Sequence, residues 1–111
     1  MSTPQTAREI ILGLPARFRP EKAAGFDMIV HLQAKGSNGG DFTIRVVDSQ
    51  CHVQEGLEGT ATCVVRTTDE NYASMETGQL NPTMAVMTGK VKVSNVGQLV
   101  KFTALFSRLE S

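Results

Sequence analysis

The sequence contains no tryptophan, one tyrosine and two cysteines, and eleven Lys+Arg balance eleven Asp+Glu to a net charge of zero. Each scarcity removes a class of function. A nucleic-acid binder needs a basic footprint to displace condensed counterions, and a balanced charge supplies none. Cys51 and Cys63 stand apart, with no Cys-x-x-Cys and no histidine cluster, which fits neither a zinc pattern nor a disulfide scaffold. His52 adjoins Cys51, but neighbours on a strand point to opposite faces and cannot share a metal from one side. Both cysteines read as small core hydrophobes, and neither metal nor cofactor is expected. The longest strongly apolar stretch, residues 26–32, is interrupted by Asp27 and His31. It falls far short of the roughly 20 residues of a membrane span. Residues 1–8 are polar and carry no signal-peptide core. The 111 residues are expected to form one domain, 1–111, soluble and cytoplasmic.

What is present is a periodicity that changes along the chain. Thr3-Pro4 is an N-cap and first-turn pair, followed by Ala7, Ile10, Ile11 and Leu14 on one helical face, with Gly13 and Pro15 as the stop. Residues 20–24 offer one more turn before Gly25. From Phe26 the period becomes two: Phe26, Met28, Val30 and Leu32 alternate with Asp27, Ile29, His31 and Gln33, the pattern of a half-buried strand. A glycine-rich loop, 36–40, delivers Phe42, Ile44 and Val46 to a similar face, and a tight turn at Asp48-Ser49-Gln50 leads to Cys51 and Val53. Cys63 and Val65 mark a fourth strand. Thr67 three residues before Glu70 reads as a capping box opening a helix to Thr77, stopped by Gly78. Asn81-Pro82 starts another helix, 82–87, and residues 90–93 alternate as a fifth strand. Ser94 or Asn95 caps a last helix whose predicted face is Val96, Leu99, Val100, Thr103 and Phe106, with Phe102 and Leu105 beside it. This order predicts an α+β fold on one mostly antiparallel sheet.

No catalytic constellation stands out. Ser74 lacks the flanking glycines of a nucleophile elbow. His31 and His52 fall on the polar sides of different strands, as solvated histidines do. Gly36, Gly39 and Gly40 precede a strand where a dinucleotide fingerprint needs a helix, and Gly89-Lys90 is followed by Val91 rather than Ser or Thr. The chain is therefore read as not an enzyme. Its apolar residues are unevenly placed: of five methionines, Met75, Met84 and Met87 fall within the two short helices. Methionine fills core gaps and also lines surfaces that accept variable ligands.

Three segments carry a resemblance. Tyr72-Ala73-Ser74-Met75-Glu76-Thr77-Gly78-Gln79-Leu80-Asn81-Pro82 is followed by Met84-Ala85-Val86-Met87-Thr88-Gly89-Lys90-Val91-Lys92-Val93, and then by Asn95-Val96-Gly97-Gln98-Leu99-Val100-Lys101-Phe102. Their succession of an aromatic, Thr-Gly, Asn-Pro, Gly-Lys-x-Lys and Asn-x-Gly resembles the sterol carrier protein domain family. The stretch from Phe18 to Gly25 and the Cys63 strand leading to Asp69 resemble it too, so the likeness covers about residues 16–106. The turn Ser94-Asn95 is one residue shorter than the family's Gly-Asn turn.

The resemblance implies a five-stranded sheet, with a three-strand meander, a crossover and two further strands, covered by helices. It also implies a hydrophobic tunnel for a fatty acid, a fatty acyl-CoA or a sterol-like lipid, in a non-catalytic carrier. Carried over by position, the lipid-binding walls are Met75, Leu80, Met84, Met87, Val91, Val93, Leu99, Phe102 and Phe106. Gln98, Lys101 and Arg108 are the head-group candidates. The expected partners are the lipid itself, a membrane touched transiently, and a second copy or a partner enzyme, with no nucleic acid. The alternative is an accessory or interaction module that presents a hydrophobic substrate to an enzyme. A plain hairpin near Leu57 would set Cys51 opposite Cys63, whereas the implied crossover separates them and leaves two free thiols.

Overall fold

The computed structural model describes residues 6–25 and 27–106. The Thr3-Pro4 signal, Phe26 and Arg108 lie outside them. The first observed cap is Thr6. Its hydroxyl accepts from the Glu9 N–H (3.2 Å) while the Glu9 carboxylate accepts from the Thr6 N–H (3.1 Å). Helix α1 (Ala7–Leu12) buries Ala7, Ile10 and Ile11. Pro15 does not stop the chain's helical course as expected. It occupies the first turn of α2 (Leu14–Arg17), where its missing N–H has no helical partner to lose. A 3-10 turn, Pro20–Lys22, follows.

Five strands form one sheet: β1 (Met28–Lys35), β2 (Gly40–Val47), β3 (Gln50–Glu55), β4 (Cys63–Thr68) and β5 (Lys92–Val93), in the order β3-β2-β1-β4-β5. The β1–β2 and β2–β3 pairs are antiparallel, so the meander is present, and β4 lies parallel to β1 with β5 antiparallel at its other side. Asp48 and Ser49 both take positive φ (51° and 59°), the geometry of a two-residue hairpin turn whose twist matches the flanking strands. Met28, Val30, Leu32, Phe42, Ile44, Val46, Cys63 and Val65 are all buried on one face, as the alternation requires.

The link from β3 to β4 is too short for the usual helical crossover. It lies flat on the sheet's outer face and is pinned there by polar side chains. The Thr43 hydroxyl donates to the Gly56 carbonyl (2.7 Å) and accepts from the Glu58 N–H (3.0 Å). His31 Nε2 donates to the Glu58 carbonyl (2.9 Å), and the Thr62 hydroxyl donates to that of Ile29 (3.0 Å). His31 thus holds the crossover rather than standing free in solvent.

The second half departs from the sequence reading in three places. Helix α3 (Asp69–Glu76) is capped by Thr68, whose hydroxyl accepts from the Asn71 N–H (3.1 Å); Thr67 belongs to β4 and donates to the Lys90 carbonyl (3.0 Å). The Thr67–Glu70 box therefore does not form. Helix α4 (Pro82–Met87) is capped by Asn81 as expected. The strand expected over 90–93 shrinks to Lys92–Val93, because the N–H groups of Lys90 and Val91 bond back to the Ala85 carbonyl (2.9 and 3.2 Å). Helix α5 (Val96–Thr103) starts at Asn95, but its buried side is shifted from the predicted face: Leu99 and Phe106 of that face pack against the core, and the two valines do not. Val96 and Val100 are 53% and 62% exposed, whereas Phe102 and Leu105 are 5% and 1% exposed. The apolar residues form one arc running from Val100 through Val96 and Leu99 to Phe102, and the phenylalanine end of that arc, which removes more area from water than the valine end, is the one buried.

Candidate functional site

Helices α2 to α5 close over the apolar face of the sheet without filling the space beneath them. A cavity of about 660 Å³ remains, with Leu32 and Val65 of the sheet as its floor. Leu14 and Arg17 of α2, Tyr72, Met75 and Glu76 of α3, Val86 of α4, Val91, and Leu99 and Phe102 of α5 form the walls. Phe106 completes them. Its ring lies 5.0 Å from Phe102 edge-on and 5.7 Å from Phe18, and Phe18 and Phe106 form a β-bridge. That clasp ties the segment after α5 to the segment after α2. The exposed residues Thr77, Gly78, Pro82 and Thr103 make the rim. A dry void of this size would cost about 16 kcal/mol at about 24 cal/mol per Å³, more than a small domain's whole stability. The space is accordingly open to water through its rim.

Five of the nine wall residues named from the sequence line this cavity: Met75, Val91, Leu99, Phe102 and Phe106. Leu80 and Val93 are half-buried against the core but do not reach the cavity, while Met84 and Met87 point outward at 52% and 75% exposed. The reason lies in the register of α4. Ala85 is buried and Pro82 and Val86 face the cavity, which leaves Met84 and Met87 on the opposite side of a short helix. Of the head-group candidates, Gln98 and Lys101 do not line the cavity. Leu14, Leu32 and Val65 were legible as core positions but not as lining. Arg17 and Glu76 carried no signal at all.

Arg17 and Glu76 bring a charge pair into apolar surroundings. Arg17 Nη2 donates to Glu76 Oε2 at 2.8 Å, with the two side chains 15% and 27% exposed. Burial pushes the Tyr72 phenol well above its ordinary pKa, the Glu76 carboxylate adds to the rise, and Arg17 opposes it. The phenol therefore stays neutral and feels both charges. Among the described residues, no group of three or more His, Cys, Asp and Glu side chains could hold a metal. Nor, among them, is any helix long and apolar enough to cross a membrane.

A mixed five-stranded sheet with helices over one face and an apolar cavity between the layers defines the class of α+β fold. The sequence matches the SCP-2 sterol transfer family over residues 14–107, and the chain belongs to that family. Among curated proteins no sequence matches it. Several solved structures share the fold. The inverting sec-alkylsulfatase Pisa1 from Pseudomonas sp. aligns with a TM-score of 0.80 at 19% identity, over 93% of this chain and 16% of that one. The chain thus corresponds to a small part of the sulfatase. Palmitated SCP2L2 from Aedes aegypti aligns with a TM-score of 0.68 at 18% identity, over 99% of this chain and 100% of that one. Apo sterol carrier protein 2 from Yarrowia lipolytica gives 0.52 at 23% identity, over 67% of each chain.

Proposed function

We propose that residues 1–111 act as one lipid-carrier domain in the cytoplasm, holding a fatty acid, a fatty acyl-CoA or a sterol-like lipid without chemical change. The observation that carries this reading is the cavity of about 660 Å³ floored by Leu32 and Val65 and walled by Met75, Val86, Val91, Leu99, Phe102 and Phe106. Its size falls in the common range for small-molecule sites, about 300–1,000 Å³. Non-directional burial contributes about 0.8 kcal/mol per methylene, so about ten buried methylenes offset the ordering costs of binding. The palmitate carried by the Aedes aegypti protein of the same fold supports a single alkyl chain as the occupant.

The test is displacement of a fluorescent fatty acid by unlabelled fatty acid, together with melting of delipidated and saturated protein. Saturation at a hundredfold excess over Kd is expected to add about 2.7 kcal/mol. For a domain of this size that raises Tm by about 10 °C. Amide exchange should slow most in residues 72–88 and 95–106. No saturable displacement at micromolar concentration, or equal melting temperatures, would overturn the reading.

A second reading is favoured by one observation: the sulfatase with the matching fold uses it as 16% of a longer chain. On this view the domain presents an apolar substrate to a partner enzyme. Organic extraction of purified protein followed by mass spectrometry separates the two. Co-purified lipid supports carriage, and a stoichiometric dimer free of lipid supports the interaction module.

A further inference from the structure

We infer that β3 is a docking edge for a second copy of this chain, whose own β3 pairs with it antiparallel about a two-fold axis at Val53. Asp48 and Ser49 form a two-residue turn, so Val47 and Gln50 on either side of it make a hydrogen-bonded pair. The same pairing recurs at every second position, Arg45 with His52 and Thr43 with Gln54. The Gly56 N–H donating to the Asp41 carbonyl (2.8 Å) is the next step of that ladder. The main-chain groups of Gln50, His52 and Gln54 therefore face β2, and those of Cys51, Val53 and Glu55 face the open edge. Among the described residues, none of these outward groups has a hydrogen-bond partner. Such an edge is a template for another strand, and proteins guard it with lysine, proline, a bulge or brevity. The opposite edge of the sheet is guarded in this way: β5 has two residues, one of them Lys92, with Lys90 just before it. β3 has six residues with no proline and no lysine, and its single formal charge, Glu55, is paired with Arg8.

A second copy is the occupant because the edge is complementary to itself. A two-fold axis at Val53 sets Val53 against its own copy and Cys51 against the partner's Glu55, so every outward N–H and carbonyl is paired and no like charges are opposed. Moving the axis to His52 would leave Glu55 unpaired and set two histidines face to face. Cys51 and Val53 are half-buried residues packed against the core, and the pairing covers their remaining exposed side. The helix layer above is compatible with this approach. Helix α2 packs against β3, and the exposed residues on it and just before it, Leu12, Pro15 and Ala16, carry no charge. Leu12 is 46% exposed. With the axis perpendicular to the sheet, both helix layers lie on the same face and each copy presents the same patch to the other. A strand of six residues with this small shoulder is a contact at the low end of specific interfaces, so the association is weak and concentration-dependent. No residue of β3 lines the cavity, so the inference is independent of what the cavity holds.

Sedimentation equilibrium of the whole chain from about 1 to about 500 μM is the test, a span that brackets a weak dimer. The mass should rise from 12.0 kDa toward twice that value. Val53→Pro removes an N–H that points away from β2, so this variant should keep its circular dichroism spectrum and stay monomeric at every concentration. A covalent trap reports the register. On a Cys51→Ser background, Val53→Cys places two Cα atoms about 5.5 Å apart across the axis, within disulfide reach, and mild oxidation should give a dimer that reductant reverses. Gln50→Cys on the same background should give none, because the axis sets Gln50 against Gly56 rather than against itself. A mass of 12.0 kDa throughout, a dimer that survives Val53→Pro, or Gln50→Cys cross-linking as readily as Val53→Cys would overturn the inference. So would a chain that stays monomeric but binds an unrelated strand-forming peptide, which would assign the edge to a different protein. The wild-type mass and the cross-link decide the matter even if Val53→Pro does not fold. Each of these failures leaves the carrier reading standing.

Discussion

Truncating Phe102 and Val100 in parallel tests the rotation of α5, and with it the wall of the cavity. The two residues are neighbours but one in sequence and lie about 200° apart around the helix. Phe102 is 5% exposed and packs edge-on against Phe106 at 5.0 Å, whereas Val100 is 62% exposed. Buried Phe→Ala changes cost about 3–5 kcal/mol. The lower end applies, because part of the ring faces the open cavity and has fewer partner atoms to lose. With unfolding entropy of about 2.1 cal/mol/K per residue, 3 kcal/mol lowers Tm by about 13 °C for a chain of 111 residues. Val100→Ala should stay within about 0.5 kcal/mol, the scale of surface changes. Thermal unfolding followed by circular dichroism, on protein stripped of lipid, measures both. Equal losses, or a larger loss for Val100→Ala, would mean that α5 is turned toward the face suggested by its valines and that Phe102 does not wall the cavity.

Four further outcomes are expected. Val86→Glu should weaken fatty-acid binding about a hundredfold or more by placing an unpaired charge in the wall, while Met84→Glu on the outward face leaves it unchanged; equal effects in probe displacement would move the site. Cys51 and Cys63 lie three strand spacings apart, about 14 Å, so native protein should titrate two thiols with or without reductant, and an internal disulfide would contradict the strand order. Burial pushes the Cys51 thiol from 9.0 to about 11, so its alkylation by iodoacetamide should be slow near neutrality and accelerate steeply toward that value. Because the unfolded thiol ionises first, this group's contribution to stability is whole below pH 9.0 and disappears as pH rises through about 11; stability that rose over that window would refute the assignment. A Cβ on Gly39 would run into the Ala34 carbonyl, so Gly39→Ala should destabilise the β1–β2 hairpin by about 2 kcal/mol or more in denaturant unfolding, and a neutral result would refute that close approach.

The elements that could be read directly are those whose signals close within a few residues. The alternation of Met28, Val30 and Leu32 and of Phe42, Ile44 and Val46 is a property of the pleat, and all six are buried on one face. Asn81 and Asn95 cap their helices because a side-chain oxygen needs only the next N–H groups, three residues away or fewer. The spaced glycines and Asn-Pro and Asn-x-Gly turns were enough to recognise the family, and through it the crossover that composition alone left open between two pairings of the Cys63 strand.

Other features depended on what lay across the fold. The outward turn of Met84 and Met87 follows from which side of α4 meets Ala85's pocket, and four apolar residues in a row of six give no local reason to prefer one side. Val100 and Phe102 are both apolar, and which of them is buried depends on packing across the fold, where Phe102 meets the core and the ring of Phe106. Arg17 and Glu76 stand 59 positions apart, and nothing near either one marks it as anything but surface charge. Their meeting inside an apolar wall exists only once α2 and α3 pack over the same sheet, because an ion pair is a property of distance in space and leaves no period, cap or spacing in the chain.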